Sequence, residues 1–560
     1  MNSVFCLLGQ RLWTVVSGIL VLTASTSGQN LSTIGSSDPV RLGGSVSARA
    51  VLYSANEIRN RREPFSWVLG GSLNLNVYDV DLPFSFTYSE QERDFSQPFN
   101  QFGASPSWQW LRGHVGYRAL TFSPYTLAGH QFLGGAVEGN PGLFRFGLMY
   151  GRLRRAVEED TSTSRFVLPA YARTGYALRA GVGNSSSYVD LILLKAKDDP
   201  SSLRRAPMHS LVLPGENLVL GLSGTAEVVS GLRVTLDAAV SDYARDQRAR
   251  EVEADGGMAA GVIEGMQASR SSTQYYGAVK AAVAWSRPRF GITGTYHRVD
   301  PDYQSMGAYY MANDLQSVAI APRVVLLDGA LRINGTVTYR HDNLQNKKRA
   351  TTHRLMPVVA LSIMPAPRWG VDVQYTDVFT SQTAGYASLG DSTRIDQRNP
   401  MISVMPRYTF TTGGAMHAVM LGAMHMRYVD NNPATARYAR SNSTNLNLGY
   451  TVTLSAQQLS LTAAGNTTRL ENAGGVYRNS GVSLTASKSL LAQSLRLNAG
   501  ATYSFQGAGR TVTASAGASY ALRQRHNFSA QSTLVSSSAG YYAQDMYSEL
   551  TLVLGYAYTF

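Results

Sequence analysis

The chain closes on Leu552-Val553-Leu554-Gly555-Tyr556-Ala557-Tyr558-Thr559-Phe560. Large apolar side chains occupy every second position, and the last of them is a terminal phenylalanine. Successive side chains of a strand point to opposite faces, so a period of two predicts a strand with one continuous apolar face. The same alternation recurs upstream in Leu73-Asn-Leu75-Asn-Val77, Leu331-Arg-Ile333-Asn-Gly-Thr-Val337-Thr-Tyr339, Leu446-Asn-Leu448-Gly-Tyr450-Thr-Val452-Thr-Leu454 and Leu495-Arg-Leu497-Asn-Ala499-Gly-Ala501-Thr-Tyr503. One face is aliphatic or aromatic, and the other is Asn, Thr, Ser, Gly or Arg.

Two architectures alternate in this way. A soluble sandwich turns its apolar faces toward each other. A membrane-spanning barrel turns them to lipid and keeps small polar residues for a wet interior. The connections favour the barrel. Tight turns rich in Gly, Pro, Asn and Asp include Asp79-Val-Asp81, Gly139-Asn-Pro141-Gly142, Gly183-Asn-Ser, Ser230-Gly231, Arg287-Pro288-Arg289, Asp328-Gly329, Pro365-Ala-Pro367, Thr412-Gly-Gly414 and Gln457-Gln458. Longer polar stretches lie between them, near 54–64, 154–166, 197–217, 243–272, 300–315, 380–398 and 429–440. Short periplasmic turns and long extracellular loops alternate in this way around an outer-membrane barrel. The expected fold is therefore all-β, a closed antiparallel transmembrane β-barrel of about 26 strands, within a range of roughly 22–28. In region 93–138 the count assumes a periplasmic turn at Ser105-Pro106-Ser107 and a loop over Phe122 to Gly129, which on an alternative reading folds inward and partly fills the pore.

Composition agrees with that reading. Mean hydropathy is −0.13, because apolar and polar residues cancel along alternating strands. After the first 28 residues no stretch approaches the run of about 20 apolar residues that a spanning helix requires. The N-terminus reads as a secretory signal over 1–28, with Arg11, an apolar run from Leu12 to Leu22, and Thr26-Ser27-Gly28 before a cut ahead of Gln29. Residues 29–40 then form a short periplasmic segment and 41–560 the barrel. Cys6, the single cysteine, falls in the signal, which excludes disulfides and thiolate metal sites in the mature chain.

The 560-residue chain carries a net charge of +13, mostly from arginine. An exported protein rarely meets nucleic acid, so none is expected as a partner. Lipid and lipopolysaccharide phosphates suit the planar guanidinium fork better. The long connections hold a candidate basic collar of Arg59, Arg61 and Arg62, of Arg245, Arg248 and Arg250, and of Lys347, Lys348 and Arg349. Arg154 and Arg155, and Arg204 and Arg205, add to it; the bland reading is solvated loop charge balanced by neighbouring carboxylates. A second set, Arg332, Arg340 and Arg496, lies on polar strand faces. Arginine facing lipid at mid-membrane costs about 2–4 kcal/mol, so these are candidate lumen-lining residues. They either favour anions in a pore or pair with carboxylates such as Asp237 and Asp372 and brace the wall.

Signals for chemistry are weak, and no enzyme activity or cofactor is expected. His341-Asp342 and His353 flank one loop, but no particular serine is tied to them. Asp79-x-Asp81 and Asp300-Pro-Asp302 offer too few oxygen ligands for a dedicated Ca²⁺ site.

Two resemblances add to this. A final strand with an aromatic tip resembles the terminal signal of bacterial outer-membrane barrels, which implies that the assembly machinery reads Tyr556, Tyr558 and Phe560. The stretch Gln97-Pro-Phe-Asn-Gln-Phe-Gly-Ala-Ser-Pro-Ser-Trp108, with Leu111-Arg-Gly-His-Val-Gly-Tyr117-Arg118, Phe122-Ser-Pro-Tyr-Thr-Leu-Ala-Gly129 and Asn140-Pro-Gly142 to Gly151, resembles a large single-chain outer-membrane β-barrel family of the Bacteroidota. That family is largely without assigned activity, so the resemblance implies fold and an outer-membrane location and lends no site residues.

Three functions fit. The favoured one is a pore or translocation conduit sealed by its own loops or by a periplasmic or surface protein partner, since so wide a wall must be filled. A passive porin for small anions and a non-conducting surface scaffold are the alternatives. The segment ahead of the first strand is too short for a plug domain, which argues against a plugged receptor of similar size.

Overall fold

A computed structural model describes residues 40–77, 80–90, 101–159, 168–207, 211–253, 265–390, 393–507, 509–538 and 546–560. The proposed signal and N-terminal segment lie outside the described residues, apart from Val40, which opens the first strand. Twenty-nine strand segments, β1 to β29 in chain order, hydrogen-bond into one sheet. Every neighbouring pair among the described strands is antiparallel, and three staves are each built from two segments, which gives a closed barrel of 26 strands.

Closure occurs where β1 (Val40–Asn56) meets β29 (Met546–Thr559). Their register runs from Ser45 opposite Thr559 to Asn56 opposite Ser548. The Phe560 amide adds a bond of 3.0 Å to the Gly44 carbonyl. Gly44 has φ +130, and a Cβ there would lie 2.2 Å from the Ser72 carbonyl. Only glycine fits here, where β1 runs close to its other neighbour, Phe65–Val77. With β1 and β29 paired, no edge strand is left among the described residues, and in lipid an open edge would strand unpaired N–H and C=O groups.

The register assigns the two faces. Leu446, Leu448 and Tyr450 lie opposite Ala423, Leu421 and Val419 on the neighbouring strand. The intervening Asn445, Asn447 and Thr451 lie opposite Thr468, Asn466 and Thr462. The first set belongs to an exposed apolar belt that continues around the barrel through Leu484, Val512, Leu534 and Leu554. So large an exposed apolar surface requires lipid. At the end carrying the C-terminus the belt is bordered by aromatic groups. Trp369 packs on Tyr408, Tyr408 on Phe410, Phe410 on His417, and His417 on Tyr450. Tyr556, Tyr558 and Phe560 extend this border, with Tyr558 edge-on to Phe560 at 5.0 Å. Trp67 with Tyr88, Phe102 with Tyr117, and Tyr339 with His353 border the opposite end. Two aromatic girdles flanking an apolar band are the exterior of a membrane barrel.

Two turns differ from the sequence expectation. Ser105-Pro106 does not reverse the chain. The segments Gln101–Ala104 and Ser107–Trp108 form one stave in a single register, with Phe84 opposite Ala104 and Asp81 opposite Ser107. Pro106 lacks an N–H and merely interrupts the ladder, and the reversal falls at Gln109-Trp110, where Gln109 takes φ 52. Similarly, Ala366 still pairs with Trp369, so that turn is Pro367-Arg368. Asp79 lies outside the described residues.

Neighbouring positions Asn447 and Leu448 test the facing. Leu448→Arg is expected to cost about 2–4 kcal/mol in folding into bilayers. Asn447→Arg is expected to cost well under half of that, as read by urea titration of the heat-modifiable folded band; equal costs would refute the assignment.

Candidate functional site: the lumen and its inward loops

Two connections at the long-loop end turn into the barrel instead of outward. One is residues 122–127, between Leu111–Thr121 and Ala128–Gly139. The other is 300–314, between Phe290–Val299 and Leu315–Leu326. The first follows the inward alternative read from sequence. The second corrects the expectation of an outer loop, because its Tyr303, Met306 and Gly307 find apolar wall to bury against. Tyr303, Leu127, Leu153, Leu194 and Val219 are fully buried, and Tyr125, Met306, Phe132 and Met149 pack with them. This core fills one side of the lumen.

Polar contacts fix the two loops to each other. The Tyr303 hydroxyl donates to the Tyr125 carbonyl at 2.8 Å and Ser305 Oγ to the Thr126 carbonyl at 2.6 Å. The Ala128 amide reaches the Gly307 carbonyl at 2.9 Å. Burial pushes up the phenols of Tyr303 and Tyr125, the latter with help from Asp237, so both stay neutral and the Tyr303 hydroxyl keeps the proton it donates. Asn217, fully buried on Glu216–Val229, fastens the second loop to the wall. Its Oδ1 accepts from the Met306 amide at 2.9 Å, while its Nδ2 donates to Ser241 Oγ and the Asp242 carbonyl. The wall makes room with small residues. A Cβ on Gly221 would approach Thr126 Cγ2 to 2.6 Å.

At the mouth, Lys348 pairs with Asp314 at the end of the second loop. Burial opposes ionisation of Asp314, but Lys348 and the amides of Leu344 and Asn343 outweigh it and hold the carboxyl below its ordinary range.

The opposite side of the lumen is wet. Inward Asn447, Asn498 and Thr502 are exposed to solvent, and Asn445 donates to Thr468 across the ladder at 2.6 Å. Between the two sides runs a row of directly opposed inward residues, one per strand. Asp237 faces Lys280, Lys280 faces His297, His297 faces Ser317, Ser317 faces Arg340, and Arg340 faces Arg354. The row continues through Thr380 and Gln397 to Asp430. Tyr125 of the first inward loop stacks on His297, with centroids 6.1 Å apart, so row and constriction meet.

Two like charges opposed across a ladder repel, and none of Lys280, Arg340 and Arg354 has a carboxylate partner among the described residues. The inward carboxylates are otherwise engaged. Asp190 holds Arg145 at 2.8 Å, Asp198 holds Arg154 and Arg173, Glu138 lies between His114 and Arg179, and Asp372 holds Arg407 at 2.5 Å. Asp237 accepts from Ser223.

Of the lumen residues read from sequence, Arg340 thus lies in the row. Arg332 shares its strand and face but sits eight positions away, roughly 26 Å along the backbone. Arg496 lies on Leu495–Gln506, facing Ser489 and Ser519. Neither Asp237 nor Asp372 pairs with any of the three. Sequence reading missed Lys280, His297 and Arg354. Lys280 and Arg354 sit in strands whose alternation is blurred by Ala and Pro, and only register brings them beside Arg340.

The collar residues gather at the long-loop end without forming one cluster. Arg61 pairs with Glu549 at 3.3 Å and lies over Tyr547, and Arg62 lies over Tyr53. Arg248 grips Asp246, and Lys348 grips Asp314. Arg59, Arg245, Arg250, Lys347 and Arg349 have no carboxylate partner among the described residues. Arg154 corrects the outward reading, being tied beneath the loops to Asp198 at 3.1 Å. His353 hydrogen-bonds Tyr339 and Thr383 on the outer aromatic face. Asp300 caps the Gly277 amide and Arg298. No group of three His, Cys, Asp or Glu side chains able to hold a metal occurs among the described residues.

No family model and no curated protein matches the chain. Solved structures similar to it include the P pilus usher PapC translocation pore, with 10% identity over 93% of this chain and 99% of that one and a TM-score of 0.38. OccK5 (OpdH) of Pseudomonas aeruginosa has 12% identity over 93% and 98%, with a TM-score of 0.30. An anion-selective porin from Comamonas acidovorans has 11% identity over 68% and 93%, with a TM-score of 0.27. At these similarities no activity transfers to this chain.

Asn217→Ala leaves the buried Met306 amide without its acceptor. We expect a loss of about 1–3 kcal/mol in denaturant titration and faster proteolysis within 300–314; unchanged protection would show that the loop is held elsewhere. The Asp314 carboxyl is depressed by folding, so its contribution is complete above the ordinary carboxylate value and disappears as pH falls through the folded one. Protease cleavage of the second loop should rise only below about pH 3.9, and Asp314→Asn should abolish that dependence.

Proposed function

We propose that this protein is an outer-membrane diffusion pore that favours anions, its wide barrel narrowed on one side by two of its own loops. The observation that carries the reading is the unpaired Lys280–Arg340–Arg354 row beside the constriction. Cations without counter-charges in a low-dielectric channel raise the local concentration of anions and repel cations. The belt and girdles supply the membrane half of the reading, and the solvent-exposed wall supplies the water path. Porins of 16–18 strands already enclose an aqueous channel, so a larger barrel needs internal filling to stay selective. The inward loops provide it.

Purified protein in planar bilayers tests this directly. Under a KCl gradient the reversal potential should take the sign of an anion-preferring pore. Arg340→Glu with Arg354→Glu should move it toward cation preference, while Arg496→Glu should move it much less. Absence of current in every condition would favour a scaffold. Current appearing only after residues 300–314 are shortened would favour a conduit sealed by its loops.

A further inference from the structure

The lumen contains an apolar feature that a water path for inorganic ions does not explain. Met356 and Met364 on Ala350–Ala366, Met401 and Met405 on Met401–Thr412, and Met416, Met420, Met424 and Met426 on Ala415–Asp430 all fall on the inward face. The register makes this explicit. Met356 faces Thr338, Met405 faces Asp372, Met424 faces Asn445, and Met416 faces Thr453, all on the polar side of their strands. The 16 methionines of the chain are thus half gathered in one lumenal strip.

The strip is accessible. Met405, Met416, Met420 and Met426 are 43%, 51%, 53% and 42% exposed. It is also contiguous. Val358 faces Thr376, Thr376 faces Met401, and Met401 faces Met426. The one cation within it, Arg407, is neutralised by Asp372 and has Nη2 3.3 Å from Met364 Sδ. At its upper end, Met356 sits two residues from Arg354 on the same strand face, next to the unpaired Arg340–Arg354 couple.

We infer that this junction is a subsite for small amphipathic anions. The head group, a carboxylate or an equivalent singly charged oxyanion, sits at Arg340 and Arg354. The apolar body lies on Met356, Val358, Met401 and Met426. The inference rests on the reading of the lumen as a path for anions and names the class of anion that path favours. Charge complementarity fixes the sign of the ligand. The methionines fix its apolar body, because unbranched thioether side chains mould themselves to varied apolar shapes. A purely hydrophilic anion gains nothing from the strip, and an apolar molecule without charge gains nothing from the arginines.

The probes are sodium octanoate and sodium acetate, which share a head group and differ in apolar length. In planar bilayers octanoate should block chloride current at lower concentration than acetate. The triple variant Met356→Thr, Met401→Thr, Met426→Thr carries the residue type of its inward neighbours. It should require roughly tenfold more octanoate, as expected from losing ~55 Å² of apolar contact, while chloride conductance and acetate response stay unchanged. An unaltered octanoate block would overturn the subsite. Independently, ¹³C-methyl methionine spectra of the wild-type protein in nanodiscs should show octanoate, and not acetate, shifting the Met356, Met401 and Met426 methyls. Arg354→Gln should remove those shifts. Shifts without chloride current would retain the subsite and discard the pore; current without shifts would retain the pore and discard the subsite.

Discussion

A strand presented to hydrocarbon must hydrogen-bond along both edges, because no water is available to satisfy a bare N–H or C=O. The seam between β1 and β29 meets this requirement for the chain as a whole. With Phe560 bonded to the Gly44 carbonyl, the first and last strands become neighbours and all the others are interior to the sheet. Facing follows at once. Once closed, the wall has one side in lipid and one in water, and each residue's side is set by its parity along the strand.

That wall is not uniform around its circumference. From about residue 111 to 315 the inward face carries Ala, Gly, Leu and Val at positions such as Gly221, Ala239, Leu194 and Val219, and the two inward loops bury against it. From about 441 onward the inward face is mainly Asn, Ser, Thr and other small residues and is exposed or partly exposed. One polypeptide therefore builds a dry half and a wet half within a single cylinder. The dry half fills one side of the cylinder, and its polar anchor at Asn217 allows the backbone of an inward loop to be buried without losing its hydrogen bonds. The unpaired cations and the methionine strip lie on the boundary and the adjoining wall.

Much of this was legible in advance. The alternation in 446–454 and 552–560, the aromatic terminus and the short-long succession of connections suffice for a barrel of the observed strand number. Ser105-Pro106 reads as a turn in sequence because Pro and Ser signal one whether or not the chain reverses. The loop at 300–314 looks solvated in sequence because of its Asp, Tyr, Gln and Asn, whereas its Tyr303 and Met306 are core residues. The lumenal arginines could be assigned to a face but not to one another.

The sequence by itself determined the architecture, since parity, turn chemistry and strand length are local properties carried by neighbouring residues. Tertiary structure alone decided the lumen. Which charges stand opposed, which carboxylates are already engaged and which loops turn inward depend on register among strands far apart in the chain. A row from Lys280 to Arg354 exists only because five strands align, and no short stretch of sequence contains that information.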